Sequence, residues 1–149
     1  MKTRFLVLVL LAAACGSNPF EEEGPGQVLP AIIKFEDRPV VINIPETAEV
    51  GEPVTVSVFV YTIGGCHWDP GTHVTDLGHL VLVEPFDSII DRPPDLPVDI
   101  PIVCGAAKTG RLRESIITFS EQGMVFVVFR GREWPANKPY STRRRIFVR

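Results

Sequence analysis

The sequence predicts an all-β chain, and three observations carry that prediction. Residues 54 to 62 alternate, with Val54, Val56, Val58 and Val60 on one side and Thr55 and Ser57 on the other, the period of a half-buried strand. Short β-branched runs recur between turn-forming residues, and the 149 residues include 12 Gly and 14 Pro, a spacing that suits a sandwich or barrel of short strands. No amphipathic period runs long enough to make a helix.

From the N-terminus, Lys2 and Arg4 precede the apolar run Phe5 to Leu11, which gives way to Ala12, Ala13, Ala14 and then Cys15. That is the layout of a bacterial export signal. The run is about half the roughly twenty residues that a helix needs to cross a bilayer, so it reads as a removed signal rather than a permanent span. Leu11-Ala12-Ala13-Ala14-Cys15 resembles the lipobox of bacterial lipoproteins, which implies that Cys15 becomes the lipidated first residue of the mature chain. Ala12 stands where that family usually has Leu, Val or Ile. The three alanines also satisfy the small-x-small rule of ordinary signal peptidase, so a secreted or periplasmic soluble protein beginning at Cys15 is the alternative. In a host with two membranes, Gly16 rather than Asp after the Cys resembles the outer-membrane form of the signal. One acyl chain anchors marginally, whereas the multiply acylated Cys of this family holds firmly.

Residues 1–14 are therefore expected to be a lipoprotein signal peptide, and 15–27 the lipidated Cys with a flexible tether. Within the tether, Glu21-Glu22-Glu23 and Gly24-Pro25-Gly26 offer no apolar face to offset the entropy of ordering. Residues 28–149 suffice for one core and are too few for two ordinary domains. Strands are predicted at 31–35, 40–44, 54–62, 73–77, 79–84, 98–103, 112–119, 124–130 and 143–148, with a turn at Asp76-Leu77-Gly78.

Val50-Gly51-Glu52-Pro53-Val54-Thr55-Val56 resembles the entry to the second strand of bacterial immunoglobulin-like domains, and Phe119-Ser120-Glu121-Gln122-Gly123-Met124-Val125-Phe126 their turn into the penultimate strand. The resemblance implies an immunoglobulin-like or fibronectin-like antiparallel β-sandwich of about seven strands, and no activity. Met124 and Phe126 stand where many such domains have Tyr.

Two cysteines remain beyond Cys15, and in an exported chain Cys66 and Cys104 are expected to pair. In the immunoglobulin-like order they fall in loops at one end of the sandwich, close enough to meet. Free thiols are the competing reading.

The segment around Cys66 holds the densest local chemistry. His67, His73 and His79 interleave with Asp69 and Asp76. A metal site of His67, Asp69, His73 and His79 is the alternative function, as a small envelope ligand- or metal-binding protein. Spacing argues against it, since a hairpin at Asp76-Leu77-Gly78 puts His73 and His79 at opposite ends. Trp68 reads as a lid over the sandwich end. A second cluster, Arg130 to Tyr140, is predicted to be the loop joining the last two strands. Its Arg132, Trp134 and Tyr140 form, with Trp68, a candidate interaction surface; a rigid connection set by Pro135 and Pro139 is the simpler reading.

Charge divides unevenly. Residues 15–107 carry three Lys/Arg against fifteen Asp/Glu, and residues 108–149 carry ten against three. Cross-strand pairing with the acidic segments is the expected fate of Arg143, Arg144, Arg145 and Arg149; lipid headgroups or an anionic envelope polymer are the other candidates. Export argues against nucleic acid. No nucleophile elbow, phosphate-binding Gly-rich loop or His-Glu-x-x-His pair is present, so neither catalysis nor a cofactor is predicted. The expectation is a non-catalytic, lipid-anchored cell-envelope protein that displays an interaction domain to a protein or polymer partner; the oligomeric state is not read from the sequence.

Overall fold

The computed structural model describes residues 27–90 and 108–149, and their regular elements are all strands. In chain order they are β1 (Gln27–Pro30), β2 (Ile32–Phe35), β3 (Ile42–Asn43), β4 (Thr47–Ala48), β5 (Pro53–Ile63) and β6 (Cys66–Trp68). There follow β7 (Thr72–Asp76), β8 (Leu80–Ile90), β9 (Lys108–Thr118), β10 (Gly123–Trp134) and β11 (Lys138–Val148). The strand expected at 98–103 lies outside the described residues.

Alternation builds the core. Val56, Val58 and Val60 of β5, Val81 and Val83 of β8, Ile117 of β9, Val125, Val127 and Phe129 of β10, and Ile146 and Val148 of β11 are all buried in one cluster. Each such side chain contributes about 1.5–3 kcal/mol on leaving water. One group of strands runs β4-β11-β10-β8-β7 and another β9-β5-β3, and β2 bridges them by pairing with both β10 and β5. Their inward faces share that cluster.

The all-β class stands, but the sheet is mixed rather than antiparallel, and the described residues form eleven strands where about seven are expected. β8 runs parallel to β10, as β2 does to β10 and β4 to β11. For β8 and β10 the cause is the β7–β8 hairpin. Its turn forms at Leu77 to His79, where Asp76 Oδ1 accepts from the Gly78 amide at 2.8 Å and Gly78 takes φ +79, a backbone that glycine adopts without a Cβ clash. The second arm of the hairpin, not the first, then lies beside β10.

Two prolines mark changes of neighbour, Pro85 inside β8 and Pro45 between β3 and β4. β8 has β10 beside it at residues 80–83 and β1 beside it at residues 86–89. Pro85 falls between, where its carbonyl accepts from the Ala31 amide at 2.8 Å and its missing N–H interrupts no ladder. Pro45 falls where the chain leaves β5, which β3 accompanies, and joins β11 as β4.

Candidate functional site

β6 is short and held on β8, with His67 opposite Ile89. Gly64 and Gly65, at φ +56 and +84, turn the chain so that the imidazole returns over β8. His67 Nδ1 is hydrogen-bonded to Asp87 Oδ2 at 2.8 Å, and Nε2–H donates to Gly64 O at 2.5 Å. Asp87 is buried, and its Oδ1 has no hydrogen-bond partner among the described residues. Nearby, burial lowers the Arg132 guanidinium below its ordinary value while the charge of Asp87 works the other way.

The second buried charge is Arg113 on β9, whose side chain is 6% exposed. Its Nη1 donates to Asp69 Oδ1, and its Nη2 donates to Phe86 O at 3.3 Å. Arg111 Nη2 lies 3.6 Å from the other oxygen of Asp69. Asp69 also accepts from the Gly71 amide at 2.8 Å, closing the turn between β6 and β7. Burial pushes Arg113 down to about 10, which leaves it charged at neutral pH.

These side chains neutralise one another at one end of the core. Both ring nitrogens of His67 are taken up in hydrogen bonds within the protein. The remaining histidines sit elsewhere. His73 Nδ1 is 3.8 Å from Glu84 Oε2, which β7–β8 register places opposite it, and His79 Nε2 is 3.7 Å from Glu121 Oε2. His67, Asp69, His73 and His79 thus lie against four different partners. Among the described residues no group of three or more His, Cys, Asp or Glu is gathered for a metal ion.

The cluster expected in a loop is not in one. The β10–β11 ladder continues through Glu133 opposite Lys138, so only Pro135 to Asn137 separate the strands. Arg132 donates from Nε to Pro30 O at 2.5 Å and from Nη1 to Asn137 Oδ1 at 2.8 Å. Trp134 is half-buried opposite Phe35, and Tyr140 packs against the core opposite Gly131. Trp68, likewise expected in a loop, lies on β6 opposite Ser88, because β8 runs on past Pro85 and offers it an edge. Cys66 is on that same strand, while Cys104 lies outside the described residues.

Arg143, Arg144 and Arg145 do not find the acidic cross-strand partners expected of them. Register sets them opposite Val128, Val127 and Phe126, and among the described residues none has a carboxylate within 4.0 Å. Only Arg149 of that group is paired, with Glu49 at 3.0 Å. Arg143 instead lies over the Phe126 ring at 5.3 Å, a cation–π contact. Beside it Met124 and Phe147 face each other across the ladder, 50% and 53% exposed. The outer face of β10–β11 therefore combines exposed apolar side chains with unpaired arginines.

Sequence reasoning passed over Asp87 and Arg113. Their signal was a charge on the inward phase of an alternating strand, in step with Val81 and Val83 in one case and Ile117 in the other. Comparison of the chain with protein-family models, with curated proteins and with solved structures found no match.

Proposed function

We propose that this chain is a non-catalytic, lipid-anchored protein of the cell envelope whose immunoglobulin-like β-sandwich is displayed for interaction. Cys15 directly after Ala12-Ala13-Ala14, behind a short basic and apolar leader, supports the anchor. Two groups of strands that share one core support the sandwich, with parallel pairs as its departure from the simple antiparallel form. The observation that carries the interaction reading is the outer face of β10–β11. There Met124 and Phe147 are half-exposed beside arginines that have no acidic partner among the described residues, whereas the polar groups at the His67 end are engaged with one another.

Expression of wild type and Cys15→Ser tests the anchor. Wild type partitions with membranes and carries acyl mass on Cys15, and Cys15→Ser loses both. A mature N-terminal Cys15 without acyl mass overturns the anchoring.

A further inference from the structure

The edge of β11 is closed at one end only. Phe147 N–H donates to Glu46 O and Arg149 N–H to Ala48 O, both at 3.0 Å, so the odd-numbered residues of β11 turn their amides away from β10. β4 covers Phe147 and Val148 and no more, because the chain before Pro45 has crossed to β5. The amides of Arg145, Arg143 and Ser141 therefore face outward with no strand beside them among the described residues. Pro139, next in that phase, has no N–H to offer. Between this edge and the crossing chain runs a groove of about 620 Å³, with Ile42, Ile44 and Ile146 along it and Arg144 and Arg145 at its rim. Glu46 is the one carboxylate in its lining among the described residues.

The geometry points to this edge as a docking site for an extended acidic segment of a partner protein, added to the sheet as a further strand. An unpaired edge supplies backbone hydrogen bonds to any extended chain, and its side chains choose among them. A second copy pairing edge to edge would bring one Arg143-Arg144-Arg145 run against the other, and like charges opposed across strands destabilise. A strand bearing Asp or Glu beside Arg143 and Arg145, with β-branched residues toward Ile42 and Ile44, meets attraction on one face and apolar contact on the other. Specificity thus comes from what the arginines repel as much as from what they attract. The inference deepens the interaction reading and does not depend on the lipid anchor.

The test is fluorescence anisotropy of the full chain in mild detergent. The probe is a short labelled peptide alternating glutamate with valine and threonine. Its controls are a lysine-for-glutamate peptide and a glutamate peptide N-methylated at alternate residues on the edge-facing phase. Saturable binding of the first peptide alone supports strand addition, as does weakening by about tenfold or more in Arg143→Glu/Arg145→Glu, two attractive pairs having become repulsive. Equal binding of the N-methylated peptide shows attraction without a strand and overturns the proposal. So does binding to phosphatidylglycerol vesicles with none to the peptide, which makes the face a lipid surface. Binding that appears only after deletion of residues 16–26 also overturns it, since the chain's own Glu21-Glu22-Glu23 then holds the edge. The peptide controls leave the protein unaltered, so they read the edge whether or not the arginine variant folds. Failure here with membrane partition intact removes the edge and leaves the anchor standing.

Discussion

Asp87 is hydrogen-bonded to His67 through one carboxylate oxygen at 2.8 Å, while its other oxygen, itself buried, meets no donor among the described residues. The pair is therefore half satisfied. Removing one partner of a buried ion pair leaves the other uncompensated in a medium that solvates it poorly, and typically costs about 3–5 kcal/mol. His67→Ala is expected to fall in that range by urea unfolding. The double variant His67→Ala/Asp87→Ala should be the more stable of the two, because no buried carboxylate is then stranded. Equal stability of His67→Ala and wild type would mean that water already reaches Asp87.

Asp69 and Arg113 form an asymmetric pair, and the asymmetry predicts which deletion is worse. The Asp69 side chain is 37% exposed and hydrates if its partner is lost, whereas that of Arg113 is 6% exposed and cannot. Asp69→Ala should therefore destabilise by more than Arg113→Met, which fills similar volume and removes the unpartnered Nε as well. The sign with pH follows from the lowered value. Burial lowers Arg113 to about 10, below the ordinary range of an arginine, so the cost of burying the cation is fully present at neutral pH. It is relieved only as pH rises past about 10. Unfolding of the two variants at pH 7 decides the order.

The strand at 54–62 was legible because only one of its faces meets the core, so burial writes its period directly into Val56, Val58 and Val60. The continuation of β8 beyond Glu84 was not. Pro85 reads as a breaker, yet it falls where β8 changes neighbours from β10 to β1 and needs no amide there. The far half of the β10–β11 hairpin was hidden in the same way, since Gly131, Pro135 and Pro139 together spell a loop. Pro139 turns its missing N–H to the open edge, so the ladder runs past it unbroken. The pairing of β8 with β10 depends on which arm of a hairpin lies inside, and hydrophobic period cannot distinguish the arms. At the candidate site, composition made the arginine run visible, but only register could show that it faces Val128, Val127 and Phe126 rather than carboxylates.

A disulfide between Cys66 and Cys104 remains the prediction for an exported chain. Such a bridge closes a loop of nearly forty residues, for which the chain-entropy model gives roughly 4 kcal/mol. Non-reducing digestion should release the two cysteine peptides as one linked species, and Cys104→Ala should lower stability by about 2–5 kcal/mol. Recovery of both cysteines as alkylatable thiols from protein purified under oxidising conditions would dismiss the bridge.

At Gly131 of β10 the chain entering β2 leaves no room for a side chain, and the nearest atom is backbone. A Cβ added there would lie 2.5 Å from Ala31 O and 3.0 Å from two side-chain carbons of Ile33. Ala31 O cannot retreat freely, because it accepts the Arg132 amide at 2.8 Å, the bond that seats β2 on β10. At Gly110 an added Cβ would approach even closer, 2.3 Å, but to the outer end of the Phe59 ring, which can rotate away, and its nearest backbone atom, Val60 O, is 3.0 Å off rather than 2.5 Å. Gly131→Ala should therefore destabilise by about 1–3 kcal/mol, the range for overpacking a filled core, and Gly110→Ala by less. Hydrogen exchange adds a local reading. In Gly131→Ala the Arg132 amide should lose protection along with β2, while the β5–β9 ladder keeps its own. Protection of the Arg132 amide at the wild-type level would show that β2 shifts as a unit without breaking that bond.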